Sequence, residues 1–123
     1  MRLLLDTHVL IWWDEGARLS DKADGAIRAA QQVYVSSVTG WEIAIKSSLG
    51  RLETTRSVVD AARESGFEEL PVRLVHTEML RALPLHHRDP FDRMLVAQAR
   101  VEGLTLVSRD RALREYDVKV LLA

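Results

Sequence analysis

The chain has no cysteine in its 123 residues, which excludes disulfides and thiolate zinc sites outright and fits a reducing interior. It has only three prolines and six glycines, and no Pro/Gly/Ser-rich linker or repeat divides it. No apolar run approaches the roughly 20 residues of a membrane span. Asp6 interrupts the first apolar stretch, so the N-terminus lacks the layout of a signal peptide. A soluble cytoplasmic protein of one domain, residues 1–123, is expected. There is no glycine-rich phosphate loop and no Gly-x-Ser-x-Gly elbow, which removes P-loop and α/β-hydrolase chemistry. Charge of one sign is also lacking. Seventeen basic residues against 18 acidic leave a net charge of −1, which argues against a broad electrostatic grip on nucleic acid but leaves room for a local one. Fourteen of the basic residues are arginine, the better fork for phosphate, although gene base composition accounts for that as well.

What is present is an alternation. Short apolar runs at Arg2–Leu5, Val33–Ser36, Glu69–Val72, Leu104–Val107 and Val118–Leu121 read as strands. Helical patterns lie between them: Thr7–Glu15 stopped by Gly16, a helix capped by Ser20, and Val38–Leu49 capped by Ser37. Further patterns follow at Arg56–Ser65, Thr77–Leu83 and Pro90–Glu102, with a last turn at Arg111–Tyr116. The strands are continuously apolar rather than alternating, as in a parallel sheet covered on both faces. The expected class is a three-layer α/β/α domain, in which ligands sit beyond the carboxyl ends of strands where the strand order reverses.

Acids stand at those ends. Asp6 directly follows the first strand, and Asp110 follows "LTLV" by way of Ser108 and Arg109. Each can serve simply as a helix cap or turn former. If the two strands are neighbours, however, both carboxylates meet in one crevice. In "HRDPFDRMLVAQA", Asp89 reads as an N-cap before Pro90 at the first helical position. Asp92, in the first turn, shares a face with Leu95, Val96 and Ala99 and is aimed coreward, where a charge needs a partner or a metal. Glu42 stands four residues before Lys46, the favourable order for a surface ion pair, yet it borders the apolar face of Val38, Ile45 and Leu49. Trp12, Trp13 and Trp41 read as packing residues. His86 and His87, adjacent in a loop beside Pro84, cannot share a helical face and read as solvated.

A ring of acids raises its own pKa values and destabilises the fold unless it holds hard cations such as Mg²⁺ or Mn²⁺. Two such ions about 3.5–4 Å apart can clamp an in-line displacement at phosphorus without histidine or cysteine. Arg93 and Arg109, beside Asp92 and Asp110, can pair with phosphate oxygens or balance the acids themselves.

Four spaced stretches, "LLLDTHVLIW", "VSSVTGWEIAIK", "HHRDPFDRMLVAQA" and "LTLVSRDRAL", resemble the PIN-domain family, and within it the VapC-like toxins of toxin–antitoxin pairs. The resemblance spans nearly the whole chain. It implies a five-stranded parallel sheet in order 3-2-1-4-5 and Mg²⁺- or Mn²⁺-dependent endoribonuclease activity, leaving 5′-phosphate and 3′-hydroxyl ends. It implies a homodimer silenced by an antitoxin laid across the groove, with the three tryptophans as groove walls. By position, Asp6, Glu42, Asp92 and Asp110 resemble the four family acids, as catalytic and metal-binding residues. Thr7 and Ser108 resemble the small hydroxyl positions that support metal and phosphate, and Asp89 is an extra acid, read as a cap or a support behind the ligands. The first rival is a phosphoacceptor receiver domain, which wants an acid pair at the first strand end that Asp6 lacks. A dehalogenase-type phosphatase wants Asp-x-Asp, which Asp6-Thr7-His8 does not supply. The last is a non-catalytic binding module on the same fold, against which the four acids speak.

Overall fold

A computed structural model of the protein describes residues 1–52 and 56–123. Its elements run β1 (Arg2–Leu5), α1 (Thr7–Glu15), α2 (Asp21–Ala29), β2 (Gln32–Ser36), α3 (Ser37–Ser48), α4 (Val58–Glu64), β3 (Glu68–Leu70), α5 (Leu74–Ala82), α6 (Pro90–Glu102), β4 (Thr105–Ser108) and β5 (Val120–Leu122). A 3₁₀ turn, Arg111–Glu115, links the last two strands. All pairings are parallel, in the order β3-β2-β1-β4-β5. A receiver-type sheet has the order 2-1-3-4-5, so that rival does not survive the topology.

Successive side chains of a strand point to opposite faces, and the core divides accordingly. Leu3, Leu5 and Val107 pack under α1, α2 and α4 with Val9, Leu10, Ala23, Ile27 and Ala61. Leu4 and Leu106 face the other way, into Leu95, Val96, Ala99, Leu83 and Leu113. Two separate apolar layers explain why these strands carry no polar face. Helix α3 packs against both α6 and α1, close to the carboxyl edge of the sheet.

Capping sets the helix boundaries. Ser36, not Ser37, is the N-cap of α3: its hydroxyl accepts from the Val38 N–H at 3.0 Å and donates to the Gln98 side chain at 2.6 Å. Ser37 is the first helical residue, and its hydroxyl instead accepts from the Val72 N–H. Helix α5 begins one turn earlier than its apolar pattern suggests. The buried ring of His76 accepts the Arg73 N–H at 2.9 Å and closes the first turn, while the exposed Leu74 hides the start. Strand β5 begins two residues late because the Val118 N–H is held by the Tyr116 carbonyl.

The strand order reverses between β1 and β4, which diverge toward β2–β3 and β5 respectively. Leu5 pairs with Val107, and the Asp6 N–H donates to the Val107 carbonyl at 3.0 Å. The acids following these two strands therefore leave the sheet side by side.

Candidate active site

Asp6 is both a helix cap and a buried acid, so the two readings of the sequence are compatible. Its carboxylate accepts the Val9 N–H at 2.9 Å, which fixes the side chain above the carboxyl end of β1. Only 8% of the residue is exposed. Burial raises its pKa above the usual carboxylate value, against hydrogen bonds from the Ser108 hydroxyl and the Val9 N–H. Ser108, fully buried at the end of β4, also accepts the Asp110 N–H at 3.0 Å. One hydroxyl thus ties the two strand-end acids together.

Glu42, in the second turn of α3, is 3% exposed. Both of its oxygens are engaged. One accepts from the Thr7 hydroxyl at 2.6 Å, and the other from the Lys46 ammonium at 2.5 Å. Thr7 in turn sits 3.1 Å from the Thr39 hydroxyl. The i,i+4 pair does form, but it is not a surface pair, because its acid is inside. The Glu42 hydrogen bond holds the Lys46 pKa above the usual lysine value.

Asp89 caps α6 through the Phe91 and Asp92 N–H groups, leaving Asp92 in the first turn. Burial, then the charges of Asp89, Asp6 and Glu42, push the Asp92 carboxyl up to about 7, while His87 pulls the other way. Three acids separated by up to 83 residues of chain, from Asp6 to Asp89, are thereby felt at a fourth. Asp110 completes the arrangement from the β4 side. One of its oxygens accepts the Ala112 N–H that starts the 3₁₀ turn; the other faces His87 Nε2 at 2.8 Å.

His87 is the residue the sequence misplaces. It is not solvated: its side chain is 20% exposed, its Nε2 lies 3.7 Å from Asp92, and its backbone N–H donates to Tyr116 Oη. The Asp89 N–H points at Nδ1 at 3.1 Å, so Nδ1 accepts and Nε2 carries the proton given to Asp110. His87, Asp92 and Asp110 each offer a ligand atom within 4.8 Å of the others. That tautomer, however, makes His87 a donor rather than a metal ligand while the Asp89 contact stands. His86 is exposed, with its ring against Tyr116. The only early signal for His87 was its place two residues before a helix cap.

The arginines beside the acids face elsewhere. Arg93 donates to the Pro84 carbonyl and to Tyr116 Oη, fastening the loop that carries His87. Arg109 donates to the Arg18 and Ala123 carbonyls and lies 3.9 Å over the Trp12 ring. Among the described residues, the basic side chains in contact with the acids are therefore Lys46 and His87, and His8 also acts on Asp6. Trp41, 60% exposed, stands edge-on to Phe91 beside Lys46, whereas Trp12 and Trp13 are half-buried. No helix among the described residues is long and apolar enough to cross a membrane.

A family model described as PIN domain matches residues 3–119. The chain is 30% identical over 118 residues to Ribonuclease VapC22 of Mycobacterium tuberculosis (strain ATCC 25618 / H37Rv), covering 93% of this chain and 91% of that protein. Among solved structures, VapBC2 from Rickettsia felis bound to a promoter DNA fragment superposes with a TM-score of 0.75 at 12% identity, covering 100% of this chain and 99% of that one. FitAcB from Neisseria gonorrhoeae gives 0.67 at 17% identity, covering 97% and 96%. At those identities the structural likeness speaks to the fold.

Proposed function

The chain belongs to the PIN-domain family, and on that premise we propose that it is a divalent-metal-dependent endoribonuclease serving as the toxin of a toxin–antitoxin pair. The observation that supports this best is the convergence of carboxylates at the carboxyl edge of the sheet, where Asp92 and Asp110 offer oxygens within 4.8 Å of one another and the charges of Asp89, Asp6 and Glu42 reach Asp92. Such crowding is costly to a folded protein and is relieved by a cation. The similarity to a protein named a ribonuclease over nine-tenths of both chains supports RNA as the substrate. An antitoxin and a second copy of the chain are the partners proposed, and no membrane.

The donor set fits a hard cation, since carboxylate oxygens with no cysteine nearby suit Mg²⁺ or Mn²⁺. Asp6, Glu42, Asp92 and Asp110 would hold it, and when bound it supplies a more acidic water and positive charge beside the scissile phosphate. The chain itself does the rest. The Thr7 and Ser108 hydroxyls orient Glu42 and Asp6. Asp89 keeps its carboxylate on the α6 N–H groups and so supports Asp92 from behind.

His87 is read as a positioning residue for Asp110. His87→Ala is expected to lower kcat by about tenfold to 100-fold with little change in the KM for RNA. His87→Asn, whose amide keeps a donor, recovers part of that loss. A raised KM with kcat unchanged would mean that the imidazole contacts RNA instead.

The function is tested by incubating total RNA with the purified chain, with and without Mg²⁺ or Mn²⁺, and mapping the ends. Cleavage only with the cation, leaving 5′-phosphate and 3′-hydroxyl ends, is expected. Cation-independent cleavage leaving 2′,3′-cyclic phosphates would overturn the reading.

A further inference from the structure

Glu42 reaches the acid cluster with neither oxygen free. Thr7 is a neutral donor and can remain when a cation arrives, but Lys46 is a positive charge on the other oxygen. The helix builds this pair in, because Glu42 and Lys46 lie four apart in the favourable order. An exposed pair of that kind would make and break freely. Here the acid side chain is 4% exposed and the lysine 29%, so parting them leaves a buried charge uncompensated unless another cation takes over. The same ammonium is also attracted by Asp89 and Asp92. Arg93 and Arg109 are occupied with carbonyls, and His87 serves Asp110.

We propose that Lys46 is the resident counter-cation of the acid cluster, holding the Glu42 oxygen that a divalent ion must take, so that the ion enters by displacing it. This rests on the metal-dependent reading above and adds a competition to it. The cation-free chain is kept folded by its own lysine, and its affinity for metal is lower than the bare donor set would give. The ammonium already lies 6.0 Å from the centre of the Phe91 ring while paired to Glu42, so that face, itself edge-on to Trp41 at 5.2 Å, stays within its reach when the pair parts. Loss of metal and return of the lysine are then two descriptions of one equilibrium.

The test is a Mn²⁺ titration of the full chain, reading free Mn²⁺ by EPR. Lys46→Met is expected to bind Mn²⁺ about three- to tenfold more tightly than the wild type, while Lys46→Arg, which keeps the charge, stays near wild-type affinity. Without cation, Lys46→Met should melt below the wild type, and saturating Mn²⁺ should close the gap. In the wild type itself, the slowly exchanging Nζ proton signal of a paired lysine should vanish on adding Mg²⁺, a readout that needs no variant to fold. If the wild type binds Mn²⁺ and Lys46→Met binds no better, or the paired-lysine signal survives Mg²⁺ saturation, the displacement is wrong while the metal reading stands. If neither protein binds Mn²⁺, both are overturned.

Discussion

Asp6→Asn should abolish RNA cleavage, by more than about a thousandfold, while the protein remains folded. The two halves of that expectation have different causes. Asparagine is as good an N-cap as aspartate, so the Val9 N–H keeps its acceptor and α1 its start. The Ser108 hydroxyl can donate to an amide oxygen as it does to a carboxylate. Burial already disfavours the charged form of Asp6, so a neutral side chain there is no burden and the melting temperature should hold or rise. What is lost is one of the anionic oxygens at the point where β1 and β4 diverge. A metal centre is worth several kcal/mol to the transition state, and about 4 kcal/mol is a thousandfold. Circular dichroism with a cleavage assay on the same preparation decides it. A folded Asp6→Asn chain that still cuts, free of contaminating nuclease, would remove Asp6 from the metal centre and the proposed mechanism with it.

The second large effect concerns stability rather than rate, and its sign depends on pH. In the cation-free protein the Asp92 carboxyl lies at about 7, against an ordinary value of 3.8. A group whose folded pKa is raised contributes its stability below the unfolded value and loses it as pH rises through the folded one. From this group the chain is therefore more stable near pH 4 than at pH 8, the loss falling mostly between those limits. At about 1.4 kcal/mol per pKa unit, the full span is at most ~4 kcal/mol. The side chain is 24% exposed, so water screens part of it and on the order of 2 kcal/mol is expected. Asp92→Asn should raise the cation-free melting temperature at pH 8, flatten the pH dependence, and forfeit the stabilisation that Mn²⁺ gives the wild type. The opposing term is the favourable placement of a negative charge in the first turn of α6, worth about 0.3–1 kcal/mol. If that term dominates, the variant melts several degrees lower at pH 8, and Asp92 is a structural residue before it is a ligand.

Much of this architecture is readable before folding, because its signals are local. Continuous apolar strands announce a sheet buried on both faces, and an acid after "LLL" and another after "LTLVSR" mark its carboxyl edge. Boundaries failed where the deciding contact is distant or hidden. Ser36 and Ser37 are equally good caps on paper; Gln98, 62 residues away, selects Ser36. The start of α5 depends on a histidine ring turned back onto the chain. The site shows the same division. The carboxylates reveal themselves by position, and the Glu42–Lys46 spacing shows one pairing, but the other groups that meet the acids do not. Arg93 and Arg109 adjoin acids in sequence and spend their donors on carbonyls 9 and 91 residues away. Lys46 announces its Glu42 partner four residues earlier, but the spacing alone does not show that the acid is buried, and His87 has nothing unusual about its neighbours in the chain. His87 meets Asp110 only because the α5–α6 loop is brought to the same edge as β4.

The spread of the donors along the chain has one more consequence. Asp6 and Asp110 lie 104 residues apart in the chain, and the two meet only after β4 has paired beside β1. A growing polypeptide that has not yet reached β4 owns scattered carboxylates without the sheet edge that gathers them. On the proposed function, a nascent chain would in this way be harmless to its own transcript until β4 has emerged and docked.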